Sequence, residues 1–135
     1  EGDAAGKAFV REMERETIGK VYRRGIPDTP KAAIVNSIIS KAKKSSIGLS
    51  SMLALQQLAY RGFIEFLNEF GGGPENFEEQ ACNHLDAYLH LVKEHLPQEE
   101  RERIYQEIKE YLRAKNNMVT DQLFDTYHEI TGEKI

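Results

Sequence analysis

Hydrophobic residues recur every three or four positions along most of this chain. This spacing is typical of amphipathic α-helices, because about 3.6 residues complete one helical turn. The first two such segments are residues 4–24 and 30–44, with apolar positions at Phe9, Val10, Met13, Ile18, Val21 and Tyr22, and then at Ile34, Val35, Ile38, Ile39 and Ala42. No segment shows the strict alternation expected of a half-buried β-strand, so the pattern predicts an all-α protein.

The segment 51–70, SMLALQQLAYRGFIEFLNEF, differs from the others because it is apolar on nearly every side. A helix of this kind is expected to be surrounded by its neighbours. We therefore predict a hydrophobic central helix over about 51–70. The densest part of the core is expected at Leu55, Leu58, Ala59, Phe63, Phe66 and Leu67.

Capping residues divide the rest of the chain into further helices. Asn76, with Glu79 three residues later, resembles a capping box at the start of a fourth helix. Pro97 fits the first turn of a fifth helix, and residues 118–131 continue a helical period up to Gly132. Ser50 or Ser51 is expected to cap the central helix. The architecture predicted is a compact bundle of five to six amphipathic helices.

Length and composition favour one domain over residues 1–135. A chain of 135 residues can bury about two-thirds of its unfolded surface, which is enough for a core without disulfides. The start at Glu1 is also compatible with a piece of a longer protein. Cys82 is the one cysteine, so no intrachain disulfide can form. Without a signal peptide or a long apolar run, we expect a cytoplasmic protein that lacks a transmembrane segment.

Chemically reactive residues cluster in the fourth helix, but their spacing is poor. His84, His90 and His95 share that helix with Cys82, yet no two histidines lie three or four residues apart. Residues on one helix converge on a metal ion only at that spacing. Cys82 lies on the predicted buried side, where a thiol acts as a small hydrophobic group. We therefore expect no catalytic residue, metal or cofactor, and a non-enzymatic role.

Charge is unevenly distributed along the chain. Residues 18–64 contain eight Lys and Arg against Asp28 alone, whereas residues 65–135 contain seven against sixteen Asp and Glu. The formal net charge is −4, so the basic stretch stands out from an acidic protein. An asymmetry of this size indicates a surface for an anionic partner.

The sequence allows three interpretations of the basic stretch. The lysines are simply solvated, or they pair with the acidic helices of the same molecule, or they contact an external partner. On a helical wheel Lys41 and Lys44 fall on one flank of the second helix and Lys43 on the other. The three lysines therefore do not form a single tight cluster.

Our functional hypothesis is a non-enzymatic helical binding or regulatory domain. It would contact an anionic partner, nucleic acid first and an acidic protein surface second, because phosphates are bound by Lys and Arg without reading sequence. The residues expected to bind are Lys20, Arg23, Arg24, Lys41, Lys43 and Lys44. The alternative is a protein-interaction module, a subunit of a larger complex or a homo-oligomer, using an apolar groove or the acidic C-terminal helices.

Overall fold

Helices make up most of the chain, and every helix is amphipathic or buried as the pattern predicts. The computed structural model describes residues 3–17, 31–70, 76–115 and 121–135. Over these ranges there are six helices and no strand. They are α1 (Ala4–Thr17), α2 (Lys31–Lys44), α3 (Leu49–Phe70), α4 (Phe77–His95), α5 (Gln98–Ala114) and α6 (Asp121–Thr131). The prediction of an all-α bundle is confirmed.

The central position of α3 is also confirmed. It packs against α1, α2 and α4, and α4 in turn packs against α5 and α6. Leu55, Ala59 and Phe63 are fully buried, whereas Leu58 and Leu67 are half-buried. Burying a Leu or Phe side chain contributes about 1.5–3 kcal/mol. In the described ranges α3 and α4 each hold six of the buried hydrophobic residues, more than any other helix. None of the helices in the described ranges has the length and apolar character needed to span a membrane.

The start of α4 follows the predicted capping pattern. The Asn76 side chain accepts a hydrogen bond from the backbone N–H of Glu79 at 3.3 Å. Its amide nitrogen also donates to the Glu79 carboxylate at 2.6 Å. At the far end of the chain, Gly132 has φ 76°, the left-handed conformation that glycine adopts most easily. The predicted start of α4 and the predicted end of α6 are therefore both correct.

The predicted cap of the central helix is wrong. The helix begins at Leu49, two residues earlier than expected, so Ser50 and Ser51 lie inside its first turn. Ser51 is buried and donates its hydroxyl hydrogen to Asp3 at 2.5 Å. The serine side chain is therefore used for a long-range contact, and a residue 48 positions away supplies the acceptor.

Asp3 joins the starts of α1 and α3. Its carboxylate accepts hydrogen bonds from the backbone N–H groups of Gly6 at 3.2 Å and Gly48 at 3.0 Å, besides the Ser51 hydroxyl. A Cβ at Gly6 would overlap both Asp3 and Ser51, so only glycine allows this approach. The Ser51 hydrogen bond, followed by those of the two amides, holds the pKa of the Asp3 carboxyl below its usual value.

Replacing Asp3 tests this junction. We expect Asp3→Ala to lower the free energy of unfolding at neutral pH, because two helix starts lose their common acceptor. Asp3→Asn should lower it less, since the amide keeps one acceptor oxygen. Urea denaturation measures both effects, with Asp125→Asn on the exposed side of α6 as the matched control. Equal stability of Asp3→Ala and the wild type would contradict this role.

Aromatic side chains attach α5 to the centre of the bundle. Tyr60 on α3 lies edge-on to Tyr111 of α5, with ring centroids 6.0 Å apart. The guanidinium of Arg61 lies 4.3 Å from the centroid of the Tyr111 ring, a cation–π distance. Lys115 and Glu65 form an ion pair at 2.6 Å beside them. Arg61, one of the eight basic residues of the 18–64 stretch, is therefore partly used inside the fold.

Several predicted boundaries lie outside the described residues. They are the end of the first predicted helix at residue 24, the start of the second at residue 30 and the start of the last at residue 118.

Candidate anion-binding surface and groove

The lysines of α2 are exposed. Lys41, Lys43 and Lys44 occupy the last turn of the helix, where positive charge also interacts favourably with the helix dipole. None of the three forms an ion pair with any residue of the ranges that the structure describes. Within those ranges, pairing with the acidic half of the molecule does not neutralise them.

The other three predicted binding residues lie outside the described part of the chain. Lys20, Arg23 and Arg24 belong to residues 18–30. Of the six predicted binding residues, the structure therefore describes only the three lysines of α2. Lys43 lies on a different flank of that helix from Lys41 and Lys44. Of these three lysines, only Lys43 lines a groove on the side of α2 that faces α4.

This groove runs between α2 and α4 and has α3 as its floor. Its volume is about 290 Å³. Both walls follow the helical repeat, so that positions three, four and seven residues apart share one face. The lining residues are Asn36, Ile39, Ser40 and Lys43 from α2, Gln56 from α3, and Asn83, His84 and Ala87 from α4.

A chain of polar side chains crosses the base of the groove. Gln80 on α4 accepts a hydrogen bond from the Asn36 amide at 3.1 Å. The Oδ1 atom of Asn36 lies 2.8 Å from Nε2 of His84, and Oε1 of Gln56 lies 2.8 Å from Nδ1 of the same ring. Gln56 is 2% exposed and His84 is 7% exposed. We refer to Gln80, Asn36, His84 and Gln56 as the amide–histidine network.

The His84 ring is held by packing as well as by hydrogen bonds. It stacks on Phe63 of α3, with centroids 5.5 Å apart and planes within 9° of parallel. Phe63 in turn contacts Phe66 and Phe77 at centroid distances of 5.8 Å and 6.0 Å. The orientation of the imidazole is therefore fixed on its face and at both nitrogens.

The protonation of His84 follows from two opposing effects. Two carbonyl oxygens facing the ring favour the doubly protonated form. Burial, with a smaller contribution from the positive charge of Lys43, lowers the pKa of His84 to about 4. The effect of burial is the larger of the two, so the His84 ring is neutral. A neutral ring needs a hydrogen-bond donor at one of its nitrogens, and turning one amide by 180° provides that donor without changing the shape of the site.

A neutral His84 leaves two arrangements of the network. In one, Asn36 keeps its hydrogen bond to Gln80, Nε2 of the ring donates to Asn36, and Gln56 turns its NH₂ group toward Nδ1. In the other, Asn36 and Gln80 both turn, and Nδ1 donates to Gln56. The direction of the hydrogen bonds can therefore be reversed along the whole network.

The other histidines and the cysteine lie apart from this site. His90 is exposed and pairs with Asp86 at 3.5 Å, and His95 is exposed at the end of α4. Cys82 is half-buried, and burial raises the pKa of its thiol. In the parts of the chain that the structure describes, no three His, Cys, Asp or Glu side chains converge as a metal site would require.

Sequence reasoning did not identify the amide–histidine network, although a signal was present. His84 lies seven residues after Phe77 and four before Tyr88, which places it on the buried side of α4. Gln56 lies seven residues before Phe63 in the helix that is apolar on nearly every side. Two polar residues at core positions are the pattern that would have predicted a buried polar pair.

Comparisons with known proteins give no relative. No protein-family model matches the chain, and neither a curated protein nor a solved structure matches it. What the protein binds is therefore inferred from the chemistry of its own surface.

Proposed function

We propose that this protein is a non-enzymatic helical binding domain that contacts an anionic partner, nucleic acid first, through the basic surface of α2. The observation that carries the proposal is the exposure of Lys41, Lys43 and Lys44, without an ion pair to any described residue. No Asp or Glu occurs anywhere in residues 29–64. We include Lys20, Arg23 and Arg24 in the proposal because they belong to the same basic stretch of the sequence, residues 18–64.

Phosphates suit such a surface better than a single carboxylate does. Exposed lysines on two flanks of one helix are too dispersed for a single small anion, whereas a phosphate backbone presents charges at regular intervals. Binding of this kind depends on salt, because each contacted phosphate releases counterions. Such binding also has little sequence specificity, because phosphate contacts position a protein on nucleic acid without distinguishing the bases.

The salt dependence of binding tests the proposal. We expect labelled single-stranded and duplex oligonucleotides to bind at low salt and to be released as salt increases. Changing Lys41, Lys43 and Lys44 together to glutamine should reduce the slope of log affinity against log salt by about 3. Fluorescence anisotropy at several salt concentrations measures this slope.

A matched variant controls for net charge. Lys7, Lys93 and Lys134 are exposed lysines on other parts of the molecule. Changing these three to glutamine alters the net charge equally and should leave the slope near that of the wild type. No binding at low salt, or equal slopes for the two triple variants, would contradict the proposal.

The protein-interaction alternative rests on the acidic surface of α5. Glu99, Glu100, Glu102, Glu107 and Glu110 are all exposed on this helix. An apolar groove is less well supported as the binding site. In the described ranges, Leu49 is the one large hydrophobic residue classed as exposed, with 38% of its surface accessible. A mass that rises with protein concentration would favour this alternative, and a monomer would count against it.

A further inference from the structure

The groove between α2 and α4 contains polar groups at positions that are buried in the bundle. Gln56 and His84 are buried positions facing Ile39 and Phe63, where apolar side chains would pack without a desolvation cost. Four neighbouring side chains are instead amides or imidazole, and each brings donors and acceptors to one small space. Buried polar groups of this kind are stable only when their partners are supplied.

The network supplies some of those partners but not all. Only one end of the Gln56 amide is used, through Oε1 toward His84, and its nitrogen donates to no residue in the described ranges. Turning the amide exchanges the two ends, so in either arrangement one of them has no hydrogen-bond partner among the described residues. Asn83 and Ser40, which also line the groove, donate no side-chain hydrogen bond within the described ranges. The groove therefore presents several unused polar groups toward one volume.

The charge of the groove limits what it can hold. Lys43 is the one charged residue in its lining, and no carboxylate lines it. His84 is neutral at physiological pH, so the lining has a single positive charge. A monoanion matches that charge, whereas a phosphate monoester has about −1.5 to −2. An α-amino acid would also bring an ammonium group for which the lining has no counter-charge.

The size of the groove limits the ligand further. At about 290 Å³ it lies just below the usual range of small-molecule sites, about 300–1,000 Å³. Its walls combine apolar surface from Ile39 and Ala87 with the amides and the imidazole. Such a site suits a compact molecule with several hydroxyl groups and one charged end.

We propose that this groove binds a small polyhydroxylated carboxylate, with the carboxylate against the Lys43 ammonium and the hydroxyls on the side-chain amides of Asn36, Gln56 and Asn83. Each ligand hydroxyl both donates and accepts, so it can complete the amide–histidine network in either of its two arrangements. This site differs from the basic surface of α2 proposed above, although Lys43 belongs to both. Its assignment does not depend on nucleic-acid binding by that surface.

A titration with gluconate as the probe tests the proposal directly. In NMR spectra we expect saturable shifts of the side-chain amide signals of Asn36, Gln56 and Asn83 and of the His84 ring nitrogens. Glucose, glucosamine and glucose 6-phosphate test the uncharged, cationic and dianionic forms of the same scaffold. Each should bind at least about tenfold more weakly than gluconate.

Two sets of variants distinguish binding at this site from binding at the basic surface of α2. Lys43→Gln, an exposed substitution that leaves the core intact, should weaken gluconate binding at least about tenfold. Changing Lys41 and Lys44 to glutamine should leave gluconate binding unchanged and weaken oligonucleotide binding. Gln56→Met should do the reverse, weakening gluconate binding while oligonucleotide binding stays as in the wild type.

Three results would overturn the proposal. The first is the absence of saturable shifts at the groove signals with gluconate. The second is equal gluconate affinity for Lys43→Gln and the wild type, and the third is binding of glucose or glucose 6-phosphate as tight as that of gluconate. Loss of oligonucleotide binding alone would contradict the proposed function and leave the groove assignment standing.

Discussion

Replacing Phe63 by alanine is expected to lower the free energy of unfolding by about 3–5 kcal/mol. Phe63 is fully buried at the point where α3 meets α4. Its ring contacts Phe66 and Phe77 and forms the stacking partner of His84. The substitution removes the ring from a closely packed core and leaves a cavity next to a buried polar group, so both packing and ring orientation are lost.

Urea denaturation measures this effect, and two further variants make the result interpretable. Phe124→Ala removes a half-buried ring of α6 and should cost clearly less. Phe63→Leu keeps most of the volume and should remain folded if the alanine variant does not. A loss of under about 1 kcal/mol for Phe63→Ala would contradict the central position assigned to this ring.

Lowering the pH from 7 to 4 is expected to remove on the order of 3 kcal/mol of stability through His84 alone. The pKa of His84 is about 4 in the folded protein against about 6.5 in an unfolded chain. Between these values the unfolded state binds the proton and the folded state does not. The free energy of unfolding therefore falls as the pH falls through this window and levels off below the folded pKa.

The comparison with His84→Gln isolates this contribution. His90, His95 and His128 are exposed and are present in both proteins, so the difference in their pH profiles belongs to His84. The glutamine variant should lose clearly less stability between pH 7 and pH 4. In NMR spectra of the wild type, the His84 ring should titrate near pH 4. Titration near 6.5, or parallel pH profiles for the two proteins, would contradict the burial of a neutral ring.

Helix positions were predictable because they depend on local pattern. The three- and four-residue spacing of apolar residues identified α2 and α4, and Asn76 and Gly132 marked two helix ends by their own chemistry. The start of α3 was missed because its hydrogen-bond acceptor is Asp3, far away in the sequence. Local capping preferences at Ser50 or Ser51 do not predict a contact with a residue so distant in the sequence.

The candidate site was predictable only in part, for a similar reason. The acid-free stretch of residues 29–64 drew attention to Lys41, Lys43 and Lys44, and all three are exposed. The groove depends instead on which face of α2 lies against α4, and helical periodicity does not determine the order of helices in space. The hydrogen bonds of Asn36 to Gln80 and His84 span 44 and 48 residues. Only the three-dimensional structure brings those side chains together.

In the proposed function, α2 provides the surface that binds an anionic partner. An NMR titration of isotopically labelled protein with a single-stranded oligonucleotide at low salt tests it most directly. We expect the largest backbone amide shifts in residues 36–46 and in the basic segment 20–24, and we expect these shifts to disappear at high salt. Shifts that are largest on α5, or no shifts at low salt, would contradict it.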